Sequence, residues 1–194
     1  MLIEERPVSM GVVSAKDHSP IISNLKNDNN NTLTFEQLEL CAETVRSIKE
    51  SGYLSPTPIQ ALTIPEVLQG KDIMASAQTG TGKTAAFILP IIELLRAEDK
   101  PKRYQVHSLV LTPTRELAAQ VEASAKAYTK YLALRSDAVF GGVSIRPQVK
   151  RLQGGVDILV ATPGRLLDLI NQKMIRFDNL KVLVLDEADR MLDM

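Results

Sequence analysis

The sequence predicts an α/β domain built on a parallel sheet with helices on both faces. From Asp72 onward, short apolar runs alternate with helical patterns. Several of those runs are apolar at consecutive positions, as parallel strands covered on both sides require. Residues placed just after the runs, Pro113 and Pro163 among them, are of the kind that open helices. At 194 residues and 44% hydrophobic content there is enough apolar material for one real core.

The elements follow in chain order. Residues 1–31 carry no sustained period, and Asn24 to Asn31 is a polar, asparagine-rich tract, so this segment is expected to be a disordered extension; a partner-binding segment is the alternative. Residues 33–61 form a second region. Thr34 with Gln37 can close a capping box, and Phe35, Leu38, Ala42, Val45 and Ile48 then predict one helix ended by Gly52. Cys41 lies beside that stripe, as a packed thiol does. Thr57 and Pro58 start another helix, in which Gln60, on propensity alone, is an exposed polar residue. Residues 62–194 hold the strand runs 72–77, 108–111, 138–140, 157–161 and 181–185. Between them, Leu117, Val121, Ala125, Tyr128 and Leu132 stripe one helix, and Leu166, Leu167 and Ile170 a shorter one.

Composition excludes several function classes. Lys+Arg and Asp+Glu balance at 23 each, so nucleic acid cannot be held by a general positive field and any such contact is local. One cysteine allows no intrachain disulfide or thiolate cluster, and His18 and His107 have no ligand-like spacing. No run reaches the ~18–20 apolar residues of a membrane span, and the N-terminus has no signal-peptide core. A cytoplasmic setting is the expectation.

Ligands of open α/β sheets bind at the carboxyl ends of the strands. After the first run stand Ala77, Gln78, Thr79, Gly80, Thr81, Gly82, Lys83 and Thr84. This is the phosphate-loop pattern G-x-x-x-x-G-K-[ST] with Ala77 in place of the first glycine. Converging backbone N–H groups and a helix N-terminus cradle a polyphosphate, Lys83 reaches the β/γ-phosphates, and Thr84 ligates Mg²⁺. A glycine-rich turn that merely starts a helix is the bland alternative. The last run ends in Asp186 and Glu187, where one carboxylate can hold Mg²⁺ and its neighbour can activate water; Asp186 as a simple helix cap is the alternative. Thr112-Pro113-Thr114-Arg115 and Thr162-Pro163-Gly164-Arg165 repeat one another: in each, Thr is expected as N-cap and Pro as first helical residue, leaving an arginine in the first turn. A bound anion would relieve the clash of each arginine with the helix dipole, so the pair suits successive phosphates of a single nucleic-acid strand. Two helix starts with incidental arginines are equally simple. Gly141 and Gly142 allow close backbone approach or make a plain turn.

Taken together, Asp186-Glu-Ala-Asp189, the loop from Ala77 to Thr84, Pro113-Thr-Arg-Glu-Leu117, Gly141-Gly142, Thr162-Pro-Gly-Arg165 and the stretch from Gly52 to Gln60 with Phe35 ahead of it resemble the first RecA-like domain of DEAD-box ATP-dependent RNA helicases. The likeness covers about Leu33 to Met194. The wording around Gly141 to Gln153 and after Asp189 is similar to bacterial RhlE-type members. The resemblance implies a RecA-like P-loop NTPase domain that binds ATP and Mg²⁺. In it Gln60 hydrogen-bonds adenine, Phe35 stacks on it, and Asp189 couples nucleotide state to RNA. Backbone contacts to RNA fall to Pro113, Thr114, Arg115, Gly141, Gly142, Thr162, Pro163, Gly164 and Arg165. Catalysis falls to Lys83, Asp186 and Glu187. The implied activity is RNA-stimulated ATP hydrolysis coupled to local duplex opening. A non-catalytic ATP- and RNA-binding fragment and an RNA-independent P-loop switch are the competing readings. Against that pattern the second RecA-like domain is absent and the sheet is incomplete at the C-terminus. The expected consequence is a vacant slot between the strand before Ala77 and the strand ending in Asp186.

Overall fold

Parallel strands form one sheet in the computed structural model, which describes residues 8–11, 33–76 and 80–192. The strands are β1 (Val8–Gly11), β2 (Ile73–Met74), β3 (Val106–Leu111), β4 (Ser136–Val139), β5 (Val156–Ala161) and β6 (Val182–Leu185), in the spatial order β2-β1-β6-β3-β5-β4. The helices are α1 (Ala42–Glu50), α2 (Pro58–Leu68), α3 (Lys83–Leu95), α4 (Arg115–Tyr128), α5 (Ile145–Leu152), α6 (Pro163–Asn171) and α7 (Ala188–Leu192).

Strand side chains alternate between two cores. Val110, Ile158, Val160, Val182 and Val184 pack with α1, α2, α3 and α4, while Leu109, Leu159, Ala161 and Leu183 pack with α5 and α6. This two-sided burial is why β5 is apolar at nearly every position and buried throughout. Helix α3 is the keystone of the first core: every residue from Ala85 to Ile92 is buried. No helix among the described residues is long and apolar enough to cross a membrane.

Four expectations are corrected. The helix expected from Thr34 to Gly52 is two pieces, because Glu39 takes a left-handed conformation (φ 59°) after a 3-10 turn at Phe35–Leu38 and the chain re-enters helix only at Ala42. Thr112 does not cap α4. It is fully buried with its hydroxyl on the Thr114 carbonyl, and Thr114 takes the cap by accepting the Leu117 N–H, so the helix starts at Arg115 rather than Pro113. On α6 the apolar pair facing the core is Leu166 and Leu169, leaving Leu167 and Ile170 exposed, because the short helix packs by one turn only. Finally, the slot between β2 and β6 is not vacant, and residues 1–31 do not lie wholly outside the fold: β1 runs parallel to both neighbours there, with Met10 opposite Ile73 and Val184. The rest of that segment lies outside the described residues.

Candidate active site at the carboxyl edge of the sheet

The ladder of backbone hydrogen bonds continues past the strand ends and fixes what stands beside what. Asp186 N–H donates to Leu111 O at 2.9 Å, Thr112 N–H to Ala161 O at 3.0 Å, and Thr162 N–H to Val139 O at 3.1 Å. Asp186, Thr112, Thr162 and the Phe140-Gly141 turn thus form one row across β6, β3, β5 and β4. Four separate sequence signals, far apart in the chain, meet along a single edge.

At the other end of the row, β2 leads toward the loop whose residues Ala77, Gln78 and Thr79 lie outside the described residues. Gly80 and Gly82 both have positive φ, and Gly82, at 88°, caps α3. Lys83 and Thr84 open the helix. Gln60 is fully buried, against the expectation of an exposed residue: its Oε1 accepts the Thr57 N–H at 3.0 Å and its Nε2 donates to the Gly82 carbonyl at 3.1 Å. One side chain therefore ties the start of α2 to the start of α3. Phe35 is buried in the first core, 1% exposed, packed with α1 and α2.

Asp186 is 5% exposed at the end of β6. Burial pushes its carboxyl above the usual range and the neighbouring Glu187 charge adds to this, while Lys83 pulls it back down. Lys83, at the start of α3, is thus among the charges that act on the acidic strand end. Glu187 sits in left-handed backbone (φ 52°), a strained conformation for a glutamate, and its Oε2 accepts from Arg190 at 2.7 Å. Asp189 lies exposed in the first turn of α7. A metal here would be held by Asp186 and Thr84, both hard oxygen donors. Among the described residues no group of three or more His, Cys, Asp or Glu is placed to hold a metal ion.

The two arginines of the repeated motif differ. Arg115 is exposed and paired with Glu116 at 2.6 Å. Arg165 is 8% exposed: its Nη2 donates to Val143 O at 2.8 Å, its Nε lies 3.6 Å from Asp168, and Nε and Nη1 have no hydrogen-bond partner. Arg165 therefore braces the turn after Gly142 from beneath. Gln148 braces it from the side, exchanging hydrogen bonds with both backbone groups of Phe140 and donating to Ser144 O. Nothing in the sequence reading singled out Gln148; its position in the first half of α5, one turn after the loop, is the only local signal. Pro113 is buried, and Gly164 is exposed at the start of α6.

A family model described as DEAD/DEAH box helicase matches residues 57–194. The chain belongs to that family. It is 48% identical over 162 residues to the ATP-dependent RNA helicase CshA of Limosilactobacillus reuteri, covering 84% of this chain and 32% of that protein. It is also 48% identical over 168 residues to the probable ATP-dependent RNA helicase DDX43 of Homo sapiens, covering 85% and 26%. A crystal structure of a DEAD box protein from the hyperthermophile Methanococcus jannaschii superposes with a TM-score of 0.76 at 39% identity, over 84% of this chain and 43% of that one. The RecA-like parallel sheet is thereby that of the DEAD-box fold. The chain spans about a third or less of the length of these two curated relatives. Neither relative carries the RhlE name.

Proposed function

We propose that this DEAD-box domain binds and hydrolyses ATP with Mg²⁺ in response to RNA, as the nucleotide-binding part of an ATP-dependent RNA helicase. The observation that carries the reading is the row at the carboxyl edge of the sheet, where backbone hydrogen bonds set Asp186 beside Thr112 and Thr162 while Gln60 ties the loop at Gly82 to α2. Lys83 and the N-terminus of α3 neutralise the phosphates. Thr84 and Asp186 would hold Mg²⁺, which would supply charge neutralisation to the phosphates. Glu187, already turned out of the strand by its left-handed backbone, orients and deprotonates the attacking water. RNA lies across the other half of the edge. Arg115 meets a phosphate directly, the helix start at Thr162, Pro163 and Gly164 and the turn at Gly141 and Gly142 offer backbone N–H groups, and Arg165 holds that turn in place. Asp189 faces outward, where it can pass nucleotide state to RNA.

The test is ATP turnover with and without single-stranded RNA, using Glu187→Gln as the control for contaminating ATPase. RNA stimulation supports the reading. An ATPase indifferent to RNA sinks the RNA half of it, and no ATP binding at all sinks both. Arg115→Ala and Arg165→Ala separate contact from bracing: the first is expected to weaken RNA binding about tenfold with Tm unchanged. The second also lowers Tm, by the few degrees that ~1–2 kcal/mol gives at this size. Equal Tm values for both variants would contradict the bracing role of Arg165. Gln60→Ala is expected to loosen α2 from α3 and to narrow the preference for ATP over GTP, read by competition binding. A wild type that takes both equally removes Gln60 from adenine recognition.

A further inference from the structure

The basic surface does not end at the turn of Gly141 and Gly142. Arg115 reaches that turn from α4: a Cβ added to Gly142 would stand 3.3 Å from Arg115 Nη1. The chain then enters α5, which buries Gln148 and Leu152. Arg146 and Lys150 stand two positions ahead of these, hence on the opposite face of the helix, and both are exposed. Four residues apart, they lie one turn above the other, about 6 Å along the axis. Past the far end of α5, Gly155 lies against the loop before β3, where an added Cβ would stand 2.4 Å from Pro101 O and 2.5 Å from Lys102 O. Lys100 and Lys102, on that loop, are exposed as well.

The chain has no net charge, and most of its cations are already answered. Arg46, Lys49, Lys71, Lys130 and Arg176 each lie within 3.2 Å of a carboxylate oxygen. Even Arg151, beside Lys150, is held by Asp137 at 2.6 Å. Arg146 and Lys150 have no such partner among the described residues. Two like charges one turn apart repel one another, a cost that a bound anion reverses. The helix carries no aromatic side chain, so its outer face can take phosphates but cannot stack bases.

We propose that the outer face of α5 is a phosphate track, on which Arg146 and Lys150 grip the backbone of an RNA strand that has left the turn at Gly142 and lead it toward Lys100 and Lys102. The inference rests on the reading of Arg115 and that turn as RNA contacts. The track adds length and affinity without sequence preference, because it meets only the sugar-phosphate backbone.

Fluorescence anisotropy with the full chain, ATP and Mg²⁺ tests this on two oligouridylates, one of about four nucleotides, enough for the row alone, and one of about twelve. Arg146→Ala combined with Lys150→Ala is expected to weaken binding of the long RNA about tenfold. It should also flatten the slope of log affinity against log salt by about 1.4, the share of two phosphates on a single strand. The short RNA, ATP affinity and Tm stay as in wild type. Arg146→Lys combined with Lys150→Arg keeps both charges and is expected to bind the long RNA like wild type. Long RNA held equally by the alanine variant, with an unchanged slope, overturns the track and leaves the contact at Arg115 standing. A wild type that binds neither RNA overturns both. A polyglutamate peptide bound as tightly as the long RNA, and lost in the same alanine variant, overturns RNA as the occupant.

Discussion

Replacing Gly82 with alanine is expected to destabilise the domain and to lower ATP affinity by at least tenfold. Two costs coincide. Gly82 has φ 88°, and a left-handed alanine costs about 1–2 kcal/mol. Its new Cβ would lie 2.4 Å from Gln60 Nε2, so the buried amide must move and give up its bond to the Gly82 carbonyl, ~1 kcal/mol more. Together these predict a fall in Tm of about 4–12 °C by calorimetry. Gly80→Ala is the matched comparison, because Gly80 has φ 84° and open space around the position of a Cβ. It carries the strain without the collision. If both variants lose equal stability and equal ATP affinity, the contact between Gln60 and the phosphate loop is not what holds that loop in shape.

Asp186→Asn is expected to stabilise the nucleotide-free protein while abolishing its response to Mg²⁺ and ATP. Burial and the Glu187 charge hold the Asp186 carboxyl above its ordinary range, so the native state binds that proton more tightly than the unfolded chain does. The group's contribution to stability is therefore complete below the unfolded carboxylate value, about 4, and is lost as pH rises through the elevated native value. The asparagine variant never ionises. Its Tm should match wild type in acid and exceed it near neutrality. The same variant should show no thermal shift on adding Mg²⁺ with ATP, where wild type gains several degrees. A variant less stable than wild type at neutral pH would mean that the carboxylate is already well compensated in the empty site.

These expectations draw on features of unequal legibility. The alternation of strands and helices could be read directly, because apolar runs such as Val156–Ala161 and starts such as Thr162-Pro163 are written in adjacent residues. The row of Asp186, Thr112, Thr162 and Gly141 followed from the rule that ligands meet strand ends. What escaped depends on partners distant in sequence. Gln60 was taken for a surface residue because its partner, Gly82, lies across a helix and a strand. Arg165 was expected in the first turn of its helix as a phosphate contact, and nothing local announces that Val143 would accept from it. The break at Glu39 used a left-handed glutamate, where glycine or asparagine would have advertised it. β1 escaped for the plainest reason: four residues with one β-branched side chain and a terminal glycine carry almost no strand signal, and only the two edges beside them make them a strand.

The β6–β3 seam has a mechanical corollary. Its four registered pairs, Ser108 with Val182 through Leu111 with Leu185, join the nucleotide end of the edge to the arginine-bearing end. A slip of one residue would move Val182 and Val184 from the first core to the second and Leu183 the other way, so the register is fixed by packing on both faces. The register therefore fixes the height of Asp186 against Leu111 and Thr112 along the strand direction.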